Sequence, residues 1–167
     1  MPFLLRPDMP PEGMVSQRRP GMENVRNHLQ EVAKEAGLVM ATRERTSNPL
    51  LALEMTEYAK EVGKVDTFHG RVMKAYWSEA LDIGDPEVLK RLAAEAGLDA
   101  AGFAEALESR RFKEQFEAKL DIARQLNIHA VPSFVFEEKY LVQGAQPYEV
   151  FKKVVQEYVL PGRESEG

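Results

Sequence analysis

The hydrophobic residues between Glu23 and Leu126 recur every three or four positions, the spacing of one face of an α-helix. At Asn127 the pattern changes to an aromatic and β-branched run over 131–136, and a second short run follows a polar break. Two such runs predict a β-hairpin. A chain in this order places a block of helices before a small sheet. The sequence therefore predicts an α/β protein that is α+β by content and mostly helical.

The starts and ends of the helices are marked by local signals. Asn48-Pro49 and Asp85-Pro86 each combine a capping side chain with a proline suited to the first helical turn. Glycines follow the apolar repeats where helices should end, at Gly37, Gly63 and Gly97. The first helix begins at about Glu23, and its apolar residues form one face.

The N-terminal residues predict a short strand and a loop. Residues 1–5 are apolar and end at Arg6-Pro7, so they are predicted to form a short buried strand. Residues 7–13 contain three prolines and a glycine, a composition that excludes helix and inner strand. Residues 137–139 are predicted to be the tight turn of the hairpin, and Pro147 to open a final helix.

Composition excludes several classes of partner. The 167 residues carry 27 acidic and 22 basic side chains, a net charge of −5, which argues against non-specific binding to nucleic acid or anionic membrane. The basic pairs Arg18-Arg19 and Arg110-Arg111 are interpreted as solvated surface. No apolar run approaches the ~20 residues of a membrane span, and the N-terminus lacks the basic region of a signal peptide. The expected location is cytoplasmic.

The chain contains no cysteine, which excludes disulfide scaffolds, thiolate zinc sites and cysteine nucleophiles. His28, His69 and His129 stand far apart, without metal-ligand spacing to one another or to carboxylates. Glu44 and Glu54 are interpreted as surface charges. The sequence therefore predicts no catalytic residue, no metal site and no cofactor.

The turn at the head of the predicted hairpin is the most informative local feature. On local grounds alone Pro132 favours a trans bond, since only about 5–6% of X-Pro bonds are cis. His129 lies three residues earlier and is a candidate for lining a site there. Tyr76 and Trp77 are candidates for the wall of a pocket, although packing within the helical block is the stronger interpretation.

The combination of segments resembles the DsbA-like thioredoxin-fold family, in particular its FrnE-type branch, and more distantly the 2-hydroxychromene-2-carboxylate isomerases. The resemblance covers nearly the whole chain, and each piece alone is weak. It rests on the following stretches: Arg6-Pro7-Asp8-Met9-Pro10-Pro11-Glu12-Gly13, the segment from Asn48 through Asp82-Ile83 and Asp85-Pro86, Val131-Pro132-Ser133-Phe134, and Gly144-Ala145-Gln146.

The resemblance implies a thioredoxin-like fold with a helical insertion. Residues 1–20 and 127–160 would form the thioredoxin-like part of a single domain, 1–167, and residues 21–126 the mainly helical insertion. It also implies a cis bond before Pro132 and a substrate groove formed by Val131, Pro132 and Ser133, in which the backbone of Val131 pairs with substrate.

The chain departs from the family at the N-terminus, where the first strand, the C-x-x-C motif and the first helix are missing. An incomplete fold of this kind should leave exposed strand edges on residues 1–5 and 133–136, and exposed edges invite pairing with another chain. The expectation is a homodimer through these edges.

Three functions remain open at this point. The first is a family disulfide oxidoreductase that is redox-inactive as given, because thiol–disulfide exchange needs a thiolate. The second is a non-enzymatic dimeric binding protein that holds a peptide or small molecule beside Pro132. The third is a relative of the glutathione-dependent isomerases whose active-site segment is missing.

Overall fold

A computed structural model describes residues 3–16, 21 and 23–161. The described chain divides into two compact units, which we treat separately. The helical unit comprises residues 4–118, and the hairpin unit comprises residues 119–161 together with Phe3. The boundary between the two units, after residue 118, differs from the predicted bounds of the helical insertion, residues 21–126. The division into a thioredoxin-like part and an insertion stays a prediction.

The helical unit contains five complete helices and one small sheet among its described residues. The helices α2 to α5 follow one another through short connections, and the segment that contains β2 separates α1 from α2. A sixth helix, α6, runs across the division between the two units. The bounds are β1 (Met14–Val15), α1 (Glu23–Glu35), β2 (Arg45–Thr46), α2 (Leu50–Glu61), α3 (Val65–Trp77), α4 (Pro86–Glu95), α5 (Ala100–Glu108) and α6 (Lys113–Gln125).

Side-chain caps begin three of these helices, and those at Asn48 and Asp85 confirm the sequence prediction. The Asn48 side-chain oxygen accepts a hydrogen bond from the Leu50 amide at 2.9 Å, ahead of α2. Asp85 accepts from the Glu87 amide at the start of α4, and Asp99 accepts from the amide of the third residue of α5. Each cap satisfies a backbone donor that has no partner inside the helix.

Aromatic rings form the centre of the helical core. Phe68 on α3 and Phe103 on α5 are fully buried, with ring centroids 5.4 Å apart. Tyr58 on α2 meets Phe103 and Phe112 edge-on, at 5.6 and 6.0 Å. Burial raises the pKa of Tyr58, since the anionic phenolate is disfavoured away from water. The predicted inner faces of α2 to α5 therefore converge on one core.

The prediction of a strand over residues 1–5 is wrong for residues 3–5, which the structure describes. Residues 3–5 form no strand, and Met1 and Pro2 lie outside the described residues. Leu4 is nevertheless buried, so its hydrophobicity reflects side-chain packing without backbone pairing. The small sheet instead joins β1 to β2 in antiparallel register.

The predicted loop over residues 7–13 is confirmed, and it is fixed by close backbone contacts. Asn48 donates from its side-chain amide to the carbonyls of Met9 and Pro10, at 2.9 and 3.2 Å. Gly13 has φ +73°, and a β-carbon there would lie 2.3 Å from the Thr46 carbonyl oxygen. Only glycine therefore fits at the end of this loop.

The apolar face of α1 lies mostly in solvent. Val25, Leu29 and Val32 are each nearly half exposed, and Ala33 alone in this helix is buried. The helix ends as predicted, with Gly37 at φ +71° and its amide bonded to the Lys34 carbonyl. The periodicity thus identified the helix correctly, but the helix shields little of its apolar face from water.

The hairpin unit consists of a two-stranded sheet and a C-terminal helix. Strand β3 (Ser133–Phe136) pairs antiparallel with β4 (Tyr140–Gln143), which confirms the predicted hairpin. Helix α7 (Tyr148–Val154) begins after Pro147 and continues into one π-helical stretch, Val155–Val159. None of the helices in the described ranges has the length and hydrophobicity needed to cross a membrane.

Glu54 and Arg110 form an ion pair, so the interpretation of both residues as surface charges is wrong. The Glu54 side chain is only 3% exposed, and it accepts hydrogen bonds from Arg110 Nε and Nη2 at 2.7 and 2.6 Å. Arg110 holds φ +52° after α5, a backbone conformation that disfavours an L-residue. The bidentate bond to a buried carboxylate offsets that cost. The other basic pair, Arg18-Arg19, lies outside the described residues.

Replacing Arg110 with alanine leaves the buried Glu54 carboxylate without its bidentate partner. We expect R110A to lower the free energy of unfolding by about 3 kcal/mol, the lower end for a broken buried pair, because Arg110 is itself 38% exposed. The matched control is R111A, whose partner Glu61 is about half exposed, and its loss should stay below about 1 kcal/mol. Urea denaturation followed by circular dichroism measures both, and equal losses would contradict the assignment.

Candidate functional site

The turn that leads into β3 has an unusual backbone. The Val131–Pro132 peptide bond is cis, which confirms what the family resemblance implied and what local frequencies alone disfavoured. The Ser133 hydroxyl donates to the Ala130 carbonyl at 2.6 Å, and the Gly144 amide donates to the Pro132 carbonyl at 2.8 Å. These two bonds hold the turn from both sides of the proline.

A third bond supports the same turn from the far strand. The Gln143 side-chain amide donates to the Asn127 carbonyl at 2.8 Å, and Gln146 donates back to the Gln143 carbonyl at 2.9 Å. Asn127 has φ +54°, which asparagine tolerates well. The approach to Pro132 is therefore fixed by polar contacts within the hairpin unit.

The pairing register determines which backbone groups of β3 face outward. Phe134 lies opposite Val142, and Phe136 lies opposite Tyr140. Hydrogen-bonded pairs alternate along an antiparallel ladder, and the Gly144-to-Pro132 bond places Phe134 and Phe136 among them. The N–H and C=O groups of Ser133 and Val135 consequently point away from β4. Among the described residues no further strand pairs with this edge.

The two faces of the hairpin differ in their contacts with the C-terminal helix, although Phe134 is itself 40% exposed. On one face Phe134 packs edge-on against Phe151 of α7, with centroids 4.9 Å apart, and Tyr140 lies 5.5 Å from the ring of Tyr158. On the other face Val135 is 43% exposed and its cross-strand neighbour Leu141 is 38% exposed. The site thus combines an open strand edge with an uncovered apolar face.

The turn at the tip of the hairpin is tight, polar and strained. Glu137 and Glu138 have φ +48° and +55°, and the Lys139 amide donates to the Phe136 carbonyl at 3.0 Å. Positive φ at both central residues is the signature of a type I′ turn, in which Asn-Gly is strongly preferred. Two glutamates there carry a conformational cost of about 1–2 kcal/mol each.

The structure brings together only part of the predicted site. Val131, Pro132 and Ser133 lie in one turn, with His129 exposed just before it. Tyr76 and Trp77 belong to the helical unit, so their grouping with His129 into one pocket stays a prediction. The groove role of Val131, Pro132 and Ser133 also stays a prediction.

The guanidinium of Arg43 lies over the rings of Tyr76 and Trp77. The sequence analysis did not predict this contact. Its guanidinium carbon lies 3.6 Å from the Tyr76 ring centroid and 4.4 Å from that of Trp77. Its Nη1 also donates to the Tyr76 carbonyl at 2.8 Å. This cation–π contact fastens the segment before β2 to the end of α3. The 33-residue separation explains why no local pattern revealed it.

The described turn residues 129–133 include no thiol and a single hydroxyl. The 167 residues contain no thiol, and the one hydroxyl of the turn, on Ser133, is bonded to a backbone carbonyl and has no base as its hydrogen-bond partner. Among the described residues no group of three or more acidic or histidine side chains could hold a metal ion. What the turn does offer is a set of backbone donors and acceptors beside an apolar surface.

Comparisons with known proteins agree with the fold. The family model of the DSBA-like thioredoxin domain matches residues 1–156. YwbO of Bacillus subtilis (strain 168) is 32% identical over 159 residues, covering 93% of this chain and 78% of its own length. The crystal structure of the "probable DsbA oxidoreductase SCO1869" from Streptomyces coelicolor superposes with a TM-score of 0.76 at 27% identity, covering 93% of this chain and 73% of that chain.

A further relative shares a shorter region. The ClpXP adapter protein SpxH of Staphylococcus saprophyticus is 33% identical over 84 residues, which cover 47% of this chain and 32% of its own length.

Replacing Glu137-Glu138 with Asn-Gly should relieve the strain of the hairpin turn. We expect the double variant E137N/E138G to raise the free energy of unfolding by about 1–2 kcal/mol, because both residues tolerate positive φ. The control E137A/E138A removes the same charges but introduces alanine, which does not favour positive φ. It should therefore bring no such gain. Thermal and urea unfolding measure the effect, and a gain of equal size in the alanine variant would show that charge, not backbone strain, is relieved.

Proposed function

Because the chain belongs to the DSBA-like thioredoxin domain family, and these 167 residues carry no thiol, we propose that this domain is a non-enzymatic peptide-binding module. An extended peptide would pair with the outer edge of β3 beside Pro132. The observation that carries the proposal is the outward direction of the N–H and C=O groups of Ser133 and Val135. Adding a strand to an open sheet edge is a general mode of peptide recognition.

The geometry favours a particular kind of peptide. Backbone pairing gives affinity without regard to sequence, whereas alternate side chains of the peptide meet one face of the sheet. The uncovered face presents Val135 and Leu141, both apolar. A peptide with apolar residues at every second position, and without proline at the paired positions, fits this arrangement.

The adapter relative lends support to a binding role. SpxH carries the name of an adapter, and an adapter acts by holding another protein rather than by chemistry of its own. The alternative is disulfide oxidoreduction, which the printed name of the Streptomyces coelicolor structure favours. That reaction would require a thiol supplied from outside these 167 residues.

We also propose that the chain belongs to the FrnE-type branch, on the basis of the motifs around Pro132 and Gly144. We further propose a cytoplasmic location.

Binding can be measured by fluorescence anisotropy with a fluorescein-labelled peptide of alternating threonine and valine. We expect saturable binding, and about a tenfold weaker Kd for V135K, because a lysine on the paired edge obstructs strand addition. The matched control is L141K, which places the same charge on the same face, directly across from Val135 but on the other strand. It should change Kd less than about threefold.

Two outcomes would contradict the proposal. Equal weakening by V135K and L141K would place the peptide on the apolar face and not on the β3 edge. Equal binding of a peptide with proline at alternate positions would exclude backbone pairing, since proline cannot donate to the ladder. An insulin-reduction assay addresses the alternative, and turnover by this cysteine-free chain would overturn the non-enzymatic assignment.

A further inference from the structure

Residues 128–131, which we call the approach loop, connect the end of α6 to the turn at the head of β3. The loop follows a closed helix end. Asn127 has φ +54°, and its amide donates to the Arg124 carbonyl at 3.0 Å. The Ile128 amide donates to the Ala123 carbonyl at 2.9 Å. This is a Schellman motif, in which two amides that follow the helix satisfy two of its last carbonyls. The carbonyl of Asn127 takes no part in this motif.

Two neighbouring side chains of the hairpin each hold one carbonyl of this segment. Gln143 and Ser133 are cross-strand partners, so their side chains lie on the same face of the hairpin. Gln143 Nε2 donates to the Asn127 carbonyl at 2.8 Å. The Ser133 hydroxyl donates to the Ala130 carbonyl at 2.6 Å. Gln143 is therefore attached to the start of the approach loop, and Ser133 to its second half.

Packing contributes little to holding the approach loop. His129 is exposed and Val131 is 52% exposed, so burial of side chains gives this segment little stability. Hydrogen bonds therefore determine its conformation. Among the described residues, the bond from Gln143 is the one side-chain hydrogen bond that joins β4 to the segment 127–131. Gln143 is itself held, because its carbonyl accepts from Gln146 Nε2 at 2.9 Å.

We infer that Gln143 is a positioning residue, which fixes the approach loop through the Asn127 carbonyl and so determines how the loop meets a bound peptide. The loop immediately precedes Pro132, beside which the peptide is proposed to bind. Without the Gln143 donor, the end of α6 is no longer bonded to β4, and the loop is held only at its second half. The role in binding rests on the proposed function, whereas the placement of the loop does not.

Two variants remove the donor. Q143E keeps the length of the side chain, and Q143M removes the donor without adding a charge, so a failure of one to fold leaves the other. We expect both to lower the backbone order parameters of residues 129–131, measured by NMR relaxation, from the about 0.85 of rigid backbone toward the about 0.6 of flexible segments. The order parameters of β3 and α7 should stay unchanged. A role in general stability alone would lower the unfolding temperature without this local change.

N127G is the matched control. It removes the side chain of Asn127 but keeps the carbonyl that Gln143 bonds, and glycine accepts φ +54° without strain. The order parameters of residues 129–131 in N127G should therefore match those of the unmodified chain. A loss of order in N127G equal to that in the Gln143 variants would overturn the inference, as would full order in both Gln143 variants.

Binding of the peptide of alternating threonine and valine separates this inference from the proposed function. If the unmodified chain binds the peptide, Q143E and Q143M should raise Kd about tenfold, and N127G less than about threefold. An unchanged Kd beside a loop that has lost order would overturn the role of Gln143 in binding. Absence of binding by the unmodified chain would overturn the proposed function, and the order parameters would still decide the placement of the loop.

Discussion

A β-strand carries backbone donors and acceptors along both edges, and one neighbouring strand can satisfy only half of them. In the hairpin unit, β4 bonds the inward half of β3, and the other half faces outward at Ser133 and Val135. Side chains of α7 cover one face of the same hairpin. The local turn around Pro132 is satisfied by its own hydrogen bonds. Among the described residues, the outer edges of β3 and β4 therefore both lack a neighbouring strand.

In the helical unit only the two-residue strands β1 and β2 have open edges among the described residues. Helices satisfy most of their backbone groups internally, and Asn48, Asp85 and Asp99 each accept from one remaining donor at the starts of α2, α4 and α5. Its core of aromatic rings consists of residues between 52 and 112. The exposed apolar face of α1 is the exception, and nothing in the described structure indicates what would cover it. The two units are thus separated in what they contain: the helical unit holds the aromatic core, and the hairpin unit holds the turn at Pro132 on which the proposed binding rests.

This separation explains which features the sequence could predict. Caps, glycine stops and periodicity act within a few residues, so they located α2 to α5 and the hairpin. The supposed strand at residues 1–5 failed because a strand needs a partner, which no local pattern reveals. The ion pair of Glu54 with Arg110 joins residues 56 positions apart, and it was equally hidden. The cis bond before Pro132 came from the family resemblance, against the local frequency. The turn site was predictable because its residues are consecutive.

A thioredoxin-like domain combines two physical properties that do not depend on each other. Exchange of disulfides needs a thiolate, and no rearrangement of these 167 residues can supply one. Backbone pairing needs only aligned N–H and C=O groups, which Ser133 and Val135 present whether or not a thiol lies nearby. The proposed binding at this edge therefore does not depend on a thiol.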